Sequence, residues 1–311
     1  MGTVIGDKLP IVRKGKKIFD FAWESLVLSF DRLYYANKDF RRVFGRGMNL
    51  DSPVNLVEKF YWLECHSDLT LMAKCTDKYA VRDYVQEKGC GNILNKLYAV
   101  WSSPDDISLS ALPDSFVLKI NNGSGDVIIV KDKSFVSEEK IKERFRELFR
   151  RQYGQKNAQF HYALIPPIII AEKLLPSGNN FVGESLVDYK IWCFNGHPEC
   201  IWVAYNRSSD CVYMDLYDVN WNSMSDKLKP DNHYQYHPEV IIPRPTTLDQ
   251  MLSYASLLSS GFPEVRVDFY ECDEKVIFGE MTFTSHFGYF TNVFYDYLGC
   301  LTDLDLVEKI H

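Results

Sequence analysis

Apolar positions along this 311-residue chain change their period near residue 93. Before that point they recur at helical spacing, first through Ile18, Phe19, Ala22, Trp23, Leu26 and Val27. Asp51-Ser52-Pro53 has the form of a helix start, and Leu56, Phe60 and Leu63 continue an apolar stripe from it. Thr76-Asp77 is placed to cap a third helix, Lys78 to about Gln86, with Gly89 as its stop. After Ile93 the pattern turns to strands: Leu97–Trp101, Ser115–Ile120 and Val127–Val130. Ser137 then opens an amphipathic helix to about Arg151, with Ile141, Phe145, Leu148 and Phe149 on one side. Further strands are predicted over Ile168–Leu175, Val187–Phe194 and Glu199–Tyr205, the last two joined by the tight-turn pair Asn195-Gly196. Thr246–Ser260 predicts a capped helix, and Val265–Tyr270 with Val276–Phe283 a hairpin around Asp273-Glu274. The polar stretch Asn220–Thr247 is long enough to be an excursion or a lid.

Composition narrows the function classes. The chain is 46% hydrophobic, 25% charged and carries a net charge of −7, so it lacks the basic balance of a nucleic-acid binder. Its one basic cluster, Arg13, Lys14, Lys16 and Lys17, suits a solvated N-terminal stretch or a contact with a membrane surface or a glycan phosphate. The eight cysteines show no CxxC spacing, which argues for reduced thiols rather than a zinc ribbon. No stretch reaches the ~18 apolar residues of a spanning helix, and the first residues lack the apolar core of a signal peptide. The expected location is cytoplasmic, with peripheral contact at the inner face of a membrane as the alternative. The aromatic content of 14% fits either a sugar site or a large mixed-sheet core.

Three segments carry candidate chemistry. In FVLKINNGSGDVIIV, residues 116–130, a strand ending near Lys119 leads into a loop containing Gly123, Ser124 and Gly125. Missing Cβ atoms let backbone N–H groups approach phosphate, while lysine supplies charge. No GK[ST] follows, so this is not a Walker loop, and an ordinary Gly-Ser hairpin has the same pattern. In IIIAEKLL, residues 168–175, Glu172 interrupts an apolar strand beside Lys173 and Leu174. A carboxylate there can accept from an adenine amino group, or simply face water at a strand end. In VRVDFYECDEKVIFGEMTFTS, residues 265–285, alternation puts Arg266, Asp268 and Tyr270 on one face, and Phe278, Glu280 and Thr282 on one face of the next strand. A register opposing Asp268 and Glu280 brings the carboxylates to about 5 Å at Cβ, a repulsion that Mg²⁺ would relieve. Arg266 could hold phosphate or a carboxylate substrate, or merely pair with one of the acids. Arg207, in AYNRSSD, suits an acyl phosphate or a sugar acid, or a plain surface position. Asp303 and Asp305 match a DxD pattern, although a terminal helix face accounts for them, and His233/His237 sit in a stretch with poor helical pattern.

Taken in order, TDKYAVRDYV, LPDSFVLKINNGSG, IIIAEKLL, VDYKIWCFNGHP, VRVDFY and FGEMTFTSHFG resemble the ATP-grasp superfamily, and within it the teichuronopeptide-biosynthesis branch assigned to cell-surface polysaccharide synthesis. The resemblance runs from about Leu63 to near the end of the chain. It implies an α+β fold with two lobes clasping ATP between antiparallel sheets: a reduced helical region over 1–92, a lobe with the Gly-rich loop over 93–175, and a lobe with the metal strands over 176–311. It implies that Lys78 and Lys119 contact ATP phosphates, that Gly123, Ser124 and Gly125 close over them, and that Glu172, with the Lys173 and Leu174 backbone, marks the adenine hinge. Asp188 would approach the ribose and Lys190 the phosphates or the substrate. Asp268 and Glu280 would hold Mg²⁺, with Thr282 standing where many members carry Asn. The implied chemistry is carboxylate activation as an acyl phosphate and amide formation with an amine. A uronic-acid-containing glycan or its precursor would be the acid, and an amino acid or another amine its partner. Two alternatives remain open: a sugar-nucleotide glycosyltransferase relying on Asp303 and Asp305, and a non-catalytic nucleotide-binding assembly protein.

Overall fold

The computed structural model describes residues 27–28, 30–176, 185–208 and 210–307. The expected helix through Ile18, Phe19, Ala22, Trp23 and Leu26 and the basic cluster at Arg13, Lys14, Lys16 and Lys17 lie outside the described residues. Two sheets organise the rest. Strands β1 (Leu97–Trp101), β2 (Phe116–Ile120), β3 (Val127–Val130) and β4 (Ile169–Glu172) form a four-stranded antiparallel sheet in the order β1-β4-β2-β3. Strands β5 (Asp188–Phe194), β6 (His197–Tyr205), β7 (Val212–Asp218), β8 (Tyr234–Gln235), β9 (Val265–Cys272) and β10 (Lys275–Thr282) form a six-stranded sheet in the order β10-β9-β5-β6-β7-β8. Every neighbour there is antiparallel except the β7–β8 pair, which is parallel.

Local chemistry explains most of these boundaries. Asn195 and Gly196, and Asp273 and Glu274, all take positive φ, the conformation a two-residue hairpin turn needs to match strand twist. β4 is shorter than the expected Ile168–Leu175, and its ladder ends at Glu172. β7 escapes simple alternation because Asp215 is buried within it, where its carboxylate accepts from the Tyr217 hydroxyl at 2.7 Å and the Leu216 N–H at 2.8 Å. Asn220–Thr247 is tied down at several points: β8 pairs with β7, Trp221 stacks on Tyr217 at 4.1 Å, and Leu228 is buried.

Seven helices complete the described chain: α1 (Tyr34–Phe44), α2 (Leu56–His66), α3 (Thr70–Thr76), α4 (Val81–Glu87), α5 (Glu138–Phe149), α6 (Leu248–Ser259) and α7 (Asn292–Leu301). The start expected at Asp51-Ser52-Pro53 is displaced to Asn55, which with Glu58 forms a capping box for α2. Thr76 closes α3 instead of opening the next helix. Asp77 instead accepts from the Tyr79 and Ala80 N–H groups at 2.8 and 3.2 Å ahead of α4. Ser137 caps α5 as its pattern requires, whereas the Thr247 hydroxyl at the start of α6 has no hydrogen-bond partner.

Three apolar clusters follow from this layout. α5 covers the smaller sheet by packing Ile141, Phe145 and Leu148 against Phe116, Leu118 and Ile169, each such side chain contributing about 1.5–3 kcal/mol by burial. One face of the larger sheet (Tyr189, Ile191, Val203, Val265, Val267, Phe269) packs on α6 and on α3 and α4. Its other face (Trp192, Phe194, Trp202, Leu216) packs on α1, α2 and α7. The smaller sheet is thus inserted between helices and strands of one larger body. No helix among the described residues is long and apolar enough to cross a membrane.

Candidate active site

A cleft of about 1490 Å³ opens between the sheets, lined by Lys119, Val127, Ile129 and Glu172 of the smaller one and by Asp188, Lys190, Arg266, Tyr270 and Glu280 of the larger. Lys78, from the α3–α4 connection, and Ser124 and Gly125, from the β2–β3 loop, also line it.

On the larger sheet the anticipated register is present, with Glu280 directly opposite Asp268 across β10 and β9. A bulge between Phe278 and Glu280 achieves it. Gly279 sits at the bulge, where an added Cβ would lie 2.9 Å from the Asp268 carbonyl oxygen. The bulge also corrects the expected alternation. Phe278 does not share a face with Glu280 and Thr282 but turns to the core against Phe269, ring centroids 6.4 Å apart.

The two acids stand in different surroundings. Asp268 is buried; Arg266 donates to both its oxygens at 2.7 and 2.8 Å, and Lys190, its partner on the adjacent strand, donates to Oδ2. Arg266 is itself held by Ser285 at 2.5 Å and Thr282 Oγ1 at 3.0 Å, and lies 5.9 and 6.0 Å from the ring centroids of Trp202 and Trp192. Burial disfavours its charge, but Asp268 outweighs that and raises the guanidinium pKa. The Glu280 side chain is 37% exposed and only approached by cations, Arg266 at 3.7 Å and Lys78 at 3.9 Å. Burial pushes its carboxyl up, yet Lys78, Lys190 and Arg266 together hold it below the ordinary value. Mg²⁺ takes one or two protein carboxylates and completes its shell with phosphates and water, so Glu280 could serve as placed, whereas both Asp268 oxygens are engaged by Arg266 and Lys190 and one of these pairs would have to open first.

On the smaller sheet, Glu172 pairs with Lys119 at 2.8 Å through one oxygen and with Arg82 at 3.1 Å through the other. With both oxygens engaged by cations, accepting from an adenine amino group requires one pair to open. At the neighbouring hinge the Lys173 N–H donates to the Lys96 carbonyl at 2.9 Å, and the Lys173 carbonyl accepts from Asn95 at 2.9 Å, while Leu174 lines the cleft. Lys78 donates to the Gly123 carbonyl, and burial lowers its pKa against the opposing pull of Glu280. Asp188 pairs with Arg207 at 2.8 Å and approaches Lys190 at 3.8 Å; burial raises its carboxyl, but those two cations bring it below the ordinary value.

Sequence reasoning missed several lining residues. Arg82 is displayed by a short helix and meets Glu172 from 90 positions away. Tyr270, which alternation does place on the face of Arg266 and Asp268, lines the cleft as well. Val127 and Ile129 leave 43% and 59% of their surface exposed on the cleft side of edge strand β3. His161, assigned no partner from sequence, is buried against Glu64. Several other candidates stand outside the cleft. Asp303 caps the short turn Leu304–Leu306 instead of sitting on a helix face, Asp305 follows it, and His233 meets the Asp210 carbonyl at 3.0 Å. Of Asn220–Thr247, Tyr234 alone lines the cleft.

A search of curated proteins finds no match. Among solved structures, the chain is similar to D-alanine–D-alanine ligase from Bacillus anthracis complexed with ATP, at 14% identity over 78% of this chain and 67% of that one, TM-score 0.42. D-Alanine-D-alanine ligase from Helicobacter pylori is similar at 12% identity over 82% and 68%, TM-score 0.43. The ATP-grasp ligase PsnB complexed with minimal precursor is similar at 11% identity over 70% and 53%, TM-score 0.36. The chain thus spans between about half and two thirds of the length of these proteins. A family model described as TupA-like ATPgrasp matches residues 58–302, well over half of the sequence and every strand of both sheets. The chain belongs to the TupA-like ATP-grasp family.

Proposed function

We propose that this protein is an ATP- and Mg²⁺-dependent ligase that activates a carboxylate as an acyl phosphate and joins it to an amine. The acid in this reading is a cell-surface polysaccharide, such as a capsule, O-antigen or teichuronopeptide, or its sugar-acid precursor, and the nucleophile is an amino acid or another amine. One observation carries it: Glu280, paired across the strands with Asp268, lines the cleft that also holds Lys78, Lys119, and Ser124 and Gly125 of the Gly-Ser-Gly loop.

The division of labour follows the chain. The lobe over 93–175 offers Lys119 and the loop Gly123-Ser124-Gly125 to phosphates, and the region over 1–92 adds Lys78. The lobe over 176–311 offers Asp268, Glu280 and Thr282 to Mg²⁺ and Asp188 to the ribose. When bound, Mg²⁺ would neutralise charge on the transferring phosphoryl group. Lys173 and Leu174 flank the base, with Val127 and Ile129 as its apolar wall. A carboxylate oxygen of the acid attacks the γ-phosphorus and ADP departs. The amine nitrogen then attacks the acyl carbon, and phosphate leaves with the bonding pair. Arg266 and Lys190, fixed by Asp268, would steady the negative charge of the acyl phosphate, and Arg207, fixed by Asp188, would hold the acid. Water must be kept out because it hydrolyses an acyl phosphate.

The test is ADP release from ATP with a pooled panel of uronic acids and amines. Lys119→Ala and Glu280→Gln should each abolish it while the fold persists, and full activity in either variant contradicts the assignment.

A further inference from the structure

The larger sheet carries a row of side chains in register across neighbouring strands. Glu280 on β10 opposes Asp268 on β9, Asp268 opposes Lys190 on β5, and Lys190 opposes Trp202 on β6. Opposed residues share a face, so the row runs from the acids through a cation to an aromatic ring. Glu280, Lys190 and Trp202 of this row line the cleft. Strands lie about 4.8 Å apart, which sets Trp202 about 5 Å from Lys190 and about 10 Å from Asp268 across the sheet. Arg266 spans the same interval, 2.7 Å from Asp268 and 5.9 Å from the Trp202 ring centroid.

Around Trp202 the cleft becomes aromatic. Tyr289 stacks on Trp202 at 4.5 Å with the rings 8° from parallel. Tyr234 meets Trp202 edge-on at 5.6 Å and tilts against Tyr289 at 5.3 Å and His286 at 6.1 Å. Trp202 and Tyr289 are buried, Tyr234 is half-buried, His286 is exposed, and all four line the cleft. Ser285 ties this group to Arg266, accepting from the guanidinium at 2.5 Å and lying 2.9 Å from the Tyr289 hydroxyl. Helix α1 packs on the same face of the sheet and brings the exposed side chains of Asp39 and Arg42 to the cleft, 3.6 Å apart. Asn157, next to Ala158 of the same apolar cluster, is exposed and lines the cleft as well.

In the nucleotide reading, the base, ribose and phosphates occupy the smaller sheet, Asp188 and the acids, and none of these aromatic groups is used. A cleft of about 1490 Å³ is also larger than the roughly 300–1,000 Å³ of a pocket for one small molecule.

We propose that this aromatic group is the ring subsite for the acid substrate, taking a pyranose that bears its carboxylate directly on the ring, a hexuronate, with the carboxylate toward Lys190 and Arg266. This rests on the ligase reading above and specifies which part of the cleft takes the sugar. The mixture of surfaces selects the class. A pyranose has an apolar C–H face to lie on an aromatic ring and hydroxyls around its edge for Asp39, Arg42, Asn157 and His286. A flat apolar ring would leave those polar groups unpaired, and a site built for hydroxyls rejects such a ligand. The short interval between Trp202 and Arg266 suits a carboxylate on the ring itself better than one on a long arm.

Isothermal titration in the presence of Mg²⁺ and a non-hydrolysable ATP analogue tests this. The probes are D-glucuronate and D-galacturonate, with D-galactose lacking the carboxylate and benzoate lacking the hydroxyls. At least one hexuronate should bind at about millimolar strength, the level expected for a ligand of about 13 non-hydrogen atoms. Galactose and benzoate should bind at least about tenfold more weakly. Tyr234→Ala should weaken the hexuronate about fivefold and leave affinity for the ATP analogue unchanged. The wild-type panel decides the matter even where that variant does not fold. Galactose or benzoate binding as tightly as the hexuronates, or an unchanged hexuronate affinity in folded Tyr234→Ala, would overturn the proposal. Binding of the ATP analogue with neither hexuronate bound would overturn this inference alone, whereas a wild type that binds no ATP analogue would overturn the ligase reading and this inference together.

Discussion

The cleft contains the same device twice, a carboxylate gripped by one lysine and one arginine, and the two copies are built differently. Asp268 is held by Lys190 and Arg266, all three buried on adjacent strands of one sheet. Glu172 is held by Lys119 and Arg82, which come from a strand of the same sheet and from a helix of a separate region, with lysine and arginine side chains 27% and 16% exposed. The first is rigid by construction, because its members are fixed by strand pairing. The second spans two parts of the chain, so its geometry depends on how the smaller sheet sits against α4. A fixed charge cluster centred on Asp268 and an adjustable one centred on Glu172 are what a site needs if it must hold a phosphoryl group still and yet admit a nucleotide.

Removing one partner is the direct way to break this comparison. Arg266→Ala leaves Asp268 and Lys190 buried without their strongest tie and should cost about 3–5 kcal/mol in urea unfolding, the range for a disrupted buried ion pair. Arg82→Gln leaves Lys119 on Glu172 in a wetter setting, so its cost in the same titration should be smaller, about 1 kcal/mol. Equal losses would show that the two clusters are equivalent and that their construction does not matter.

Acid sharpens the contrast. Glu280 and Asp188 both have carboxyl pKa values below their ordinary 4.5 and 3.8. Each therefore adds stability that is fully present above the ordinary value and is lost as pH falls through the depressed one. Melting temperature should hold steady from neutral pH to about pH 5 and fall below it, and Glu280→Gln should flatten part of that fall. A wild-type curve unaffected by the Gln substitution would show that the cations do not act on Glu280.

How much of this was legible in the sequence differs between the two clusters for the same reason. Strand alternation places Arg266 and Asp268 together within three residues, and the two-residue turn Asp273-Glu274 sets a register that the sequence can anticipate. The bulge at Gly279 could not be anticipated, because alternation carries no mark of an inserted residue, and so Phe278 was assigned to the wrong face. Arg82 was invisible for a different reason: its partner lies 90 residues away, and only the packing of α4 brings them together. The cap at Asn55 was overlooked beside a Pro-containing sequence with the more familiar form of a helix start. Loop residues Gly123, Ser124 and Gly125 were found by composition, while Tyr153, which lines the cleft with Ser124 and Gly125, sits in a turn with no motif of its own.

The smallest expected effect belongs to Asp303→Ala. Asp303 only caps a short turn far along the chain and does not line the cleft, so activity should be unchanged and stability should fall by about 1 kcal/mol or less. Loss of activity with an intact fold would revive the sugar-nucleotide reading.

The account turns on whether the opposed acids and the facing lysines serve one nucleotide. ATP titrated into the wild type and into Glu280→Gln, each with and without Mg²⁺, measures this most directly. The account predicts that Mg²⁺ strengthens ATP binding to the wild type by at least about tenfold and that the variant, still folded, loses that dependence. ATP binding that ignores both Mg²⁺ and the Glu280 substitution would contradict it.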